Sequence, residues 1–185
     1  MIILKKVDAF VYRYPLDNPV ITSFGIMNNR PLILLKVTDN NGIEGWGEIW
    51  CNFPLTGAEH RAKLIDNVFT PLLINHEIDS PKETFDFLTN KTKILSIQSG
   101  EQGPIAQCIA GIDIAIHDLI AKIEKIPLWK KFGGKKKNIP IYASGINPSN
   151  PGLTVEEALK NNFRSFKLKI GFGIEKDIEN IKEIN

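Results

Sequence analysis

The sequence predicts an α+β front half followed by the opening of a parallel α/β unit, and three features carry that prediction. Strand patterns and turn signals fill the first fifty residues, one long apolar helical stripe dominates the middle, and strand alternates with helix beyond residue 138. Residues 2–14 have the valine, phenylalanine and tyrosine content of a long strand, residues 31–38 form a second and residues 43–49 a third. Asp39-Asn40-Asn41-Gly42 is a turn sequence, so the last two strands pair as an antiparallel hairpin within a three-stranded meander. Residues 15–30, with Pro15, Pro19 and Gly25, are too long for a tight hairpin and read as a connecting loop of the kind that often carries function.

Helices follow. One covers 57–69, with Pro71 near its end, and Ser80-Pro81 supplies an N-cap and a first-position proline for a second helix to about residue 96. Ile105, Cys108, Ile109, Ile112, Ile116, Leu119, Ile120 and Ile123 recur at three- and four-residue steps, the buried stripe of a third helix. A short turn over 127–132 stops at Gly133-Gly134. Residues 139–144 then read as a strand, 154–162 as a helix opening at Thr154, 165–170 as a strand, and another helix begins near Ile174. Strand, helix, strand, helix is the parallel pattern. The change of pattern divides the chain into domains over 1–137 and 138–185.

Composition narrows the function classes. At 185 residues and a net charge of +2, the chain has no field suited to nucleic acid or anionic lipid, and Lys135-Lys136-Lys137 reads as a solvated loop. No apolar segment approaches the roughly 20 residues expected of a bilayer span, so no membrane partner is expected. The first residues lack a signal peptide's basic leader and apolar block, which makes the cytoplasm the simplest compartment. Cys51 and Cys108 are too dispersed for a ligand pair or disulfide framework, and His60, His76 and His117 show no metal-ligand spacing. His117 reads as a packed or surface helix residue, His60 as solvated, and Asp113 as bonded to nearby backbone. Gly171-Phe172-Gly173 lacks the third glycine of a dinucleotide loop, since Lys176 takes its place, and Gly133-Gly134-Lys135 lacks the rest of a P-loop.

Lys167-Leu168-Lys169 is the chemically informative stretch. In a period-two strand, Lys167 and Lys169 leave the same face with Cα atoms roughly 6.5 Å apart. Crowding and burial disfavour the ammonium form of each, so one lysine becomes a base near neutral pH. The plain alternative is a strand with one solvated face, for Lys91-Thr92-Lys93 repeats the spacing to no evident purpose.

Four stretches in order give that pair a context: Gly45-Trp46-Gly47-Glu48; Ala110-Gly111-Ile112-Asp113-Ile114-Ala115-Ile116-His117-Asp118-Leu119; Ile126-Pro127-Leu128-Trp129 with Phe132-Gly133-Gly134 and Tyr142-Ala143-Ser144-Gly145; and Lys167-Leu168-Lys169-Ile170-Gly171. Together they resemble the mandelate racemase/muconate-lactonizing branch of the enolase superfamily, over essentially the whole chain. His117 departs from the tryptophan usual there. The resemblance implies an α+β capping domain, the meander plus a helical bundle, followed by the first βαβ unit of an incomplete (β/α) TIM-like barrel. It also implies removal of a proton α to a carboxylate, with Lys169 as base and Lys167 as its electrostatic neighbour. A lysine base working with magnesium is a known pattern of the superfamily.

By the same resemblance, residues 15–30 and 50–57 match the cap loops that close over substrate, with Phe24, Trp50 and Phe53 as apolar wall residues. Ser144 reaches substrate from a strand end. The partner implied is a small carboxylate, an acid sugar or a relative of one, and a homo-oligomer is compatible. The Mg2+ ligands and the second base of the family come from later strands, beyond this chain. A whole barrel takes roughly 250 residues. The expectation is therefore half of an acid-sugar dehydratase or a racemase/epimerase, inactive alone, with a capping or interaction module that pairs with a second chain as the alternative.

Overall fold

The computed structural model describes residues 2–23 and 25–184. The chain forms two units, Met1–Tyr14 with Pro31–Lys135 and Pro15–Arg30 with Lys136–Asn185. Strands β1 (Ile2–Thr22), β2 (Gly25–Asp39), β3 (Glu44–Ile49) and β4 (Glu77–Ile78) form a sheet in the order β3-β2-β1-β4. The turn sequence closes the β2–β3 hairpin as its chemistry requires. Asp39 Oδ1 accepts from the N–H groups of Asn41 at 2.9 Å and Ile43 at 2.7 Å, and Gly42 takes φ +81°.

Residues 15–30, read as a loop, are mostly strand. β1 continues through Pro15 and Pro19 to Thr22, and β2 resumes at Gly25. Among the described residues the outer side of β1 is paired only near its start, with β4 at Ile2 and Ile3 and with Ile74 at Leu4, and on an outer edge further along a missing N–H costs little. The short β4 is likewise an addition to the predicted meander.

Behind the sheet lie α1 (Gly57–Leu64), a π-helical turn at Ile65–Phe69, α2 (Thr70–Leu73), α3 (Pro81–Ser99), α4 (Gln102–Glu124) and α5 (Leu128–Lys131). The helix expected to stop at residue 69 runs on to Leu73. Pro71 falls in the first positions after the π-turn, where its absent donor is not needed. Ser80 caps α3 by accepting from Glu83 N at 3.2 Å, and Gly100 ends it with φ +70°. The core joins Leu4, Ile33, Leu35, Val37 and Ile49 of the sheet to Ile65, Phe69, Leu88 and the α4 stripe. Ile123 falls outside that stripe and is exposed.

Packing of β3 on α4 explains the glycines of Gly45-Trp46-Gly47. Along β3 the buried positions are Gly45, Gly47 and Ile49, while Trp46 and Glu48 face outward. A Cβ on Gly45 would lie 2.2 Å from Ala115 O, one on Gly47 2.2 Å from Gly111 O, and one on Gly111 2.4 Å from Ile49 Cγ1. The helix thus rides directly on the strand backbone. Asp118 pins the pair by accepting from Trp46 N at 2.8 Å and from Lys122 Nζ at 2.7 Å. Among the described residues α4 also has the length and apolarity of a membrane span, 23 residues with mean hydropathy 1.4, which corrects the reading that no segment does. Here its apolar face packs on β3 and the core, with Ile112, Ala115, Ile116 and Leu119 fully buried.

In the second unit, β5 (Ala143–Ile146) and β6 (Phe166–Leu168) are parallel, with α6 (Pro151–Lys160) between them in sequence and α7 (Ile174–Ile184) after them. The first strand begins later than expected and leaves Ile139 and Ile141 exposed. α6 starts at Pro151 instead of Thr154 because its end is stabilised from a distance. Glu183 Oε1 on α7 accepts from Gly152 N at 3.0 Å, an acceptor that no local pattern announces.

Candidate active site

Lys169 stands at the end of β6. The register pairs Ile146 with Leu168, and Lys169 N donates to Ile146 O at 3.2 Å, extending the ladder one residue past the strand. Its ammonium donates to Asn147 Oδ1 at 2.9 Å and to Ile21 O at 3.2 Å. Burial draws the Lys169 pKa below the ordinary lysine value, and the positive charge of Arg30 adds to the effect. Lys167 is exposed on the same strand. Of the two causes expected from the sequence, burial is the larger, and the neighbouring positive charge is that of Arg30 rather than Lys167.

The turn after Lys169 is built rigidly. Gly171 has φ +103°, and Asp177 of α7 accepts from Gly171 N at 2.9 Å and Phe172 N at 3.3 Å. Ser144 is exposed on β5, next to Gly145 with φ +85°. The second unit thus gathers Lys167, Lys169 and Ser144 on paired strands. Phe24 lies outside the described residues.

Trp50 and Phe53 belong to the first unit, in the segment between β3 and α1. Trp50 is half exposed and Phe53 half buried. Two guanidinium groups hold this segment. Arg13 donates to Leu55 O at 2.7 Å and pairs through Nε and Nη2 with Glu59, at 3.1 Å and 2.5 Å. Arg61, buried, donates to Gly57 O at 2.7 Å and to Gln107 Oε1 at 2.7 Å. The Arg13 hydrogen bond holds the Glu59 carboxyl below the usual range.

The histidines and Asp113 are structural. His117 meets the Phe132 ring edge-on at 5.2 Å, and His60 Nε2 lies 2.8 Å from Glu101 instead of standing in solvent. Asp113 faces His117 at 3.8 Å rather than backbone, and burial raises its pKa. Among the described residues no three His, Cys, Asp or Glu side chains come together to hold a metal ion. The described residues do not fit a magnesium site.

Sequence reasoning missed Asn147, Arg30 and the Ile21 carbonyl. Asn147 carried no signal of its own, because the strand read over 139–144 runs to Ile146 in the structure and only there puts Asn147 at its end. The other two are brought in by the extended β1 and β2, which the prolines concealed.

A two-layer α+β unit, followed by parallel strands with a partly buried lysine at the second strand's end, defines the class: the capping domain and barrel opening of the enolase superfamily. A family model described as the mandelate racemase/muconate lactonizing enzyme N-terminal domain matches residues 6–133, and the chain belongs to that family. A mandelate racemase/muconate lactonizing enzyme from Bordetella bronchiseptica RB50 is 45% identical with a TM-score of 0.87, over 97% of this chain and 46% of that one. The N-succinyl-L-Arg/Lys racemase of Bacillus cereus is 25% identical over 98% of this chain and 48% of its own length. A racemase from Streptomyces coelicolor A3(2), solved with bound magnesium, shares the fold at 23% identity and a TM-score of 0.86, over 98% of this chain and 51% of that one. The chain spans about half the length of the curated relatives it matches.

Proposed function

We propose that this chain supplies the capping domain and the first two barrel strands of a magnesium-dependent enzyme that removes a proton α to a carboxylate. Lys169 is the base. As the neutral amine it takes the α-proton and becomes the ammonium, and burial together with the charge of Arg30 eases its deprotonation beforehand, with Lys167 as its exposed neighbour on the strand. One observation carries the reading: a partly buried lysine at a parallel strand end has its pKa lowered by burial and Arg30. The substrate is a small carboxylate of the racemase/epimerase or acid-sugar dehydratase type, and Phe24, Trp50, Phe53 and Ser144 are the residues the family resemblance offers for contact with it. Among the described residues no side-chain group can hold the magnesium ion, so the chain alone is read as inactive, and a cytoplasmic location goes with this reading.

A second reading has support of its own. On α7, Ile174, Ile178 and Ile181 form one exposed apolar stripe, and Ile139 and Ile141 are exposed as well. Such a face suits a cap module that docks a second chain carrying the rest of the barrel, and a homo-oligomeric assembly is compatible with it. The test is to purify the chain and assay mandelate-like acids, N-succinyl amino acids and acid sugars, with calorimetry for Mg2+. No turnover and no tight metal binding are expected, and either one would refute the reading. Added polypeptide carrying the later strands should restore exchange of the substrate α-proton with solvent deuterium, and Lys169→Ala should abolish it. Recovery of such a polypeptide by co-purification would favour the two-chain form.

A further inference from the structure

We propose that Asn147 is a positioning residue for Lys169, its side-chain oxygen fixing, with the Ile21 carbonyl, where the lysine amine rests. This inference rests on the reading of Lys169 as the base. It begins with sheet geometry. Ile146 and Leu168 are partners in a parallel pair, and the Lys169 N–H to Ile146 O bond continues the register. Asn147 and Lys169, one residue further along each strand, are laid side by side. The result is the 2.9 Å contact between Nζ and Oδ1, with the Ile21 carbonyl as second acceptor at 3.2 Å.

The chemistry of the acceptors gives the arrangement meaning. An ammonium has three N–H donors, and these two oxygens satisfy two of them. The third is left to point elsewhere, which sets a direction for proton uptake. Both acceptors are neutral, so each favours the ammonium modestly and opposes the effects of burial and of Arg30 on β2. Lys167 on β6 is exposed. A carboxylate in place of Asn147 would lock the proton on Lys169, whereas an amide orients the amine and leaves it able to give its proton up.

The test is trace acetylation of the 185-residue chain with acetic anhydride across pH, read at Lys169 by mass spectrometry with exposed Lys167 as internal reference. Asn147→Leu removes the acceptor and should move the Lys169 midpoint down by about one pH unit, with roughly tenfold faster labelling at neutral pH. Asn147→Asp should move it up by a similar amount. Shifts of opposite sign cannot come from general loosening of the strand ends. Two variants that stay within about 0.2 unit of wild type, or that move the same way, overturn the assignment. Should the leucine variant fail to fold, the near-isosteric aspartate variant decides alone, and absence of an upward shift overturns it. A wild-type midpoint at the ordinary lysine value would instead defeat Lys169 as base, while opposite shifts in the variants would still establish the Asn147 contact.

Discussion

Replacing Gly47 by alanine tests the account of the cap most directly. The new Cβ would sit 2.2 Å from Gly111 O and 2.9 Å from Ala115 N, both of them backbone atoms. That is roughly 1 Å short of an ordinary C···O contact of about 3.3 Å, and no rotamer change relieves it. Either β3 or α4 must retreat. A gap of 0.5–1 Å forfeits about a quarter to a half of each dispersion contact it opens. Overpacking of this kind costs about 1–3 kcal/mol, and a clash between two backbones belongs near the upper end. For a chain of this size, about 3 kcal/mol corresponds to a fall in Tm of roughly 6–12 °C. The three tryptophans, Trp46, Trp50 and Trp129, all lie in the first unit, so fluorescence-monitored urea unfolding reports that unit. Gly103→Ala, in α4 with nothing within 4 Å of its added Cβ, is the control and should be neutral or stabilising by up to about 1 kcal/mol. A Gly47→Ala variant within about 0.5 kcal/mol of wild type, or a control that loses as much, would refute the close-packing account.

Four further outcomes follow from particular contacts. Burial pushes the Cys108 thiol up to about 12 and raises that of Cys51 as well, so neither should react with a thiol reagent at pH 8 until the first unit unfolds. Glu59, whose carboxyl is depressed by its Arg13 hydrogen bond, adds stability above the ordinary unfolded glutamate pKa. That stability is lost as pH falls through the lower folded value, so the gap between wild type and Glu59→Gln in urea unfolding should close on acidification below about pH 4. Arg61→Met strands the buried Gly57 O, at about 1–3 kcal/mol, and frees the part-buried Gln107 Oε1 to water, and should increase proteolysis of the 50–57 segment. Hydrogen exchange should be faster at Ala143 N and Lys169 N than in the β2–β3 ladder, because a two-stranded sheet is marginal by itself.

What could be read from the sequence was whatever is set by local chemistry. The Asp39–Gly42 turn, the Ser80 cap with Pro81 and the α4 stripe need only near neighbours in the chain, and each appears where expected. Elements supported from afar were misplaced. Pro15 and Pro19 spoke for a loop, yet strand persists because proline is harmless on an outer edge. The start of α6 depends on Glu183, thirty-one positions after Gly152. The glycines of β3 stood out in the sequence, but their reason, a helix backbone 2.2 Å from where a Cβ would be, required α4 in place. Around the candidate residue Lys169, the two acceptors were not legible. Asn147 and Ile21 become its neighbours only through the parallel register and the extended β1.

The placement of Lys169 also answers why a lysine pair belongs on this strand. A strand flanked by helices on both faces is ordinarily apolar on both, and an unpaired ammonium inside such a sheet would lose its hydration without return. Here the cost is moderated at the strand end. Lys167 stays in solvent, while Lys169 exchanges part of its water for two oxygens and sits near a second positive charge. Each oxygen steadies the ammonium and each charge unsettles it, so the proton is held in place but not held tightly. A merely solvated strand face would need neither the Asn147 amide nor the turn fixed by Asp177. Under the proposed reading of Lys169 as a base, both serve to keep its amine at a defined point in space.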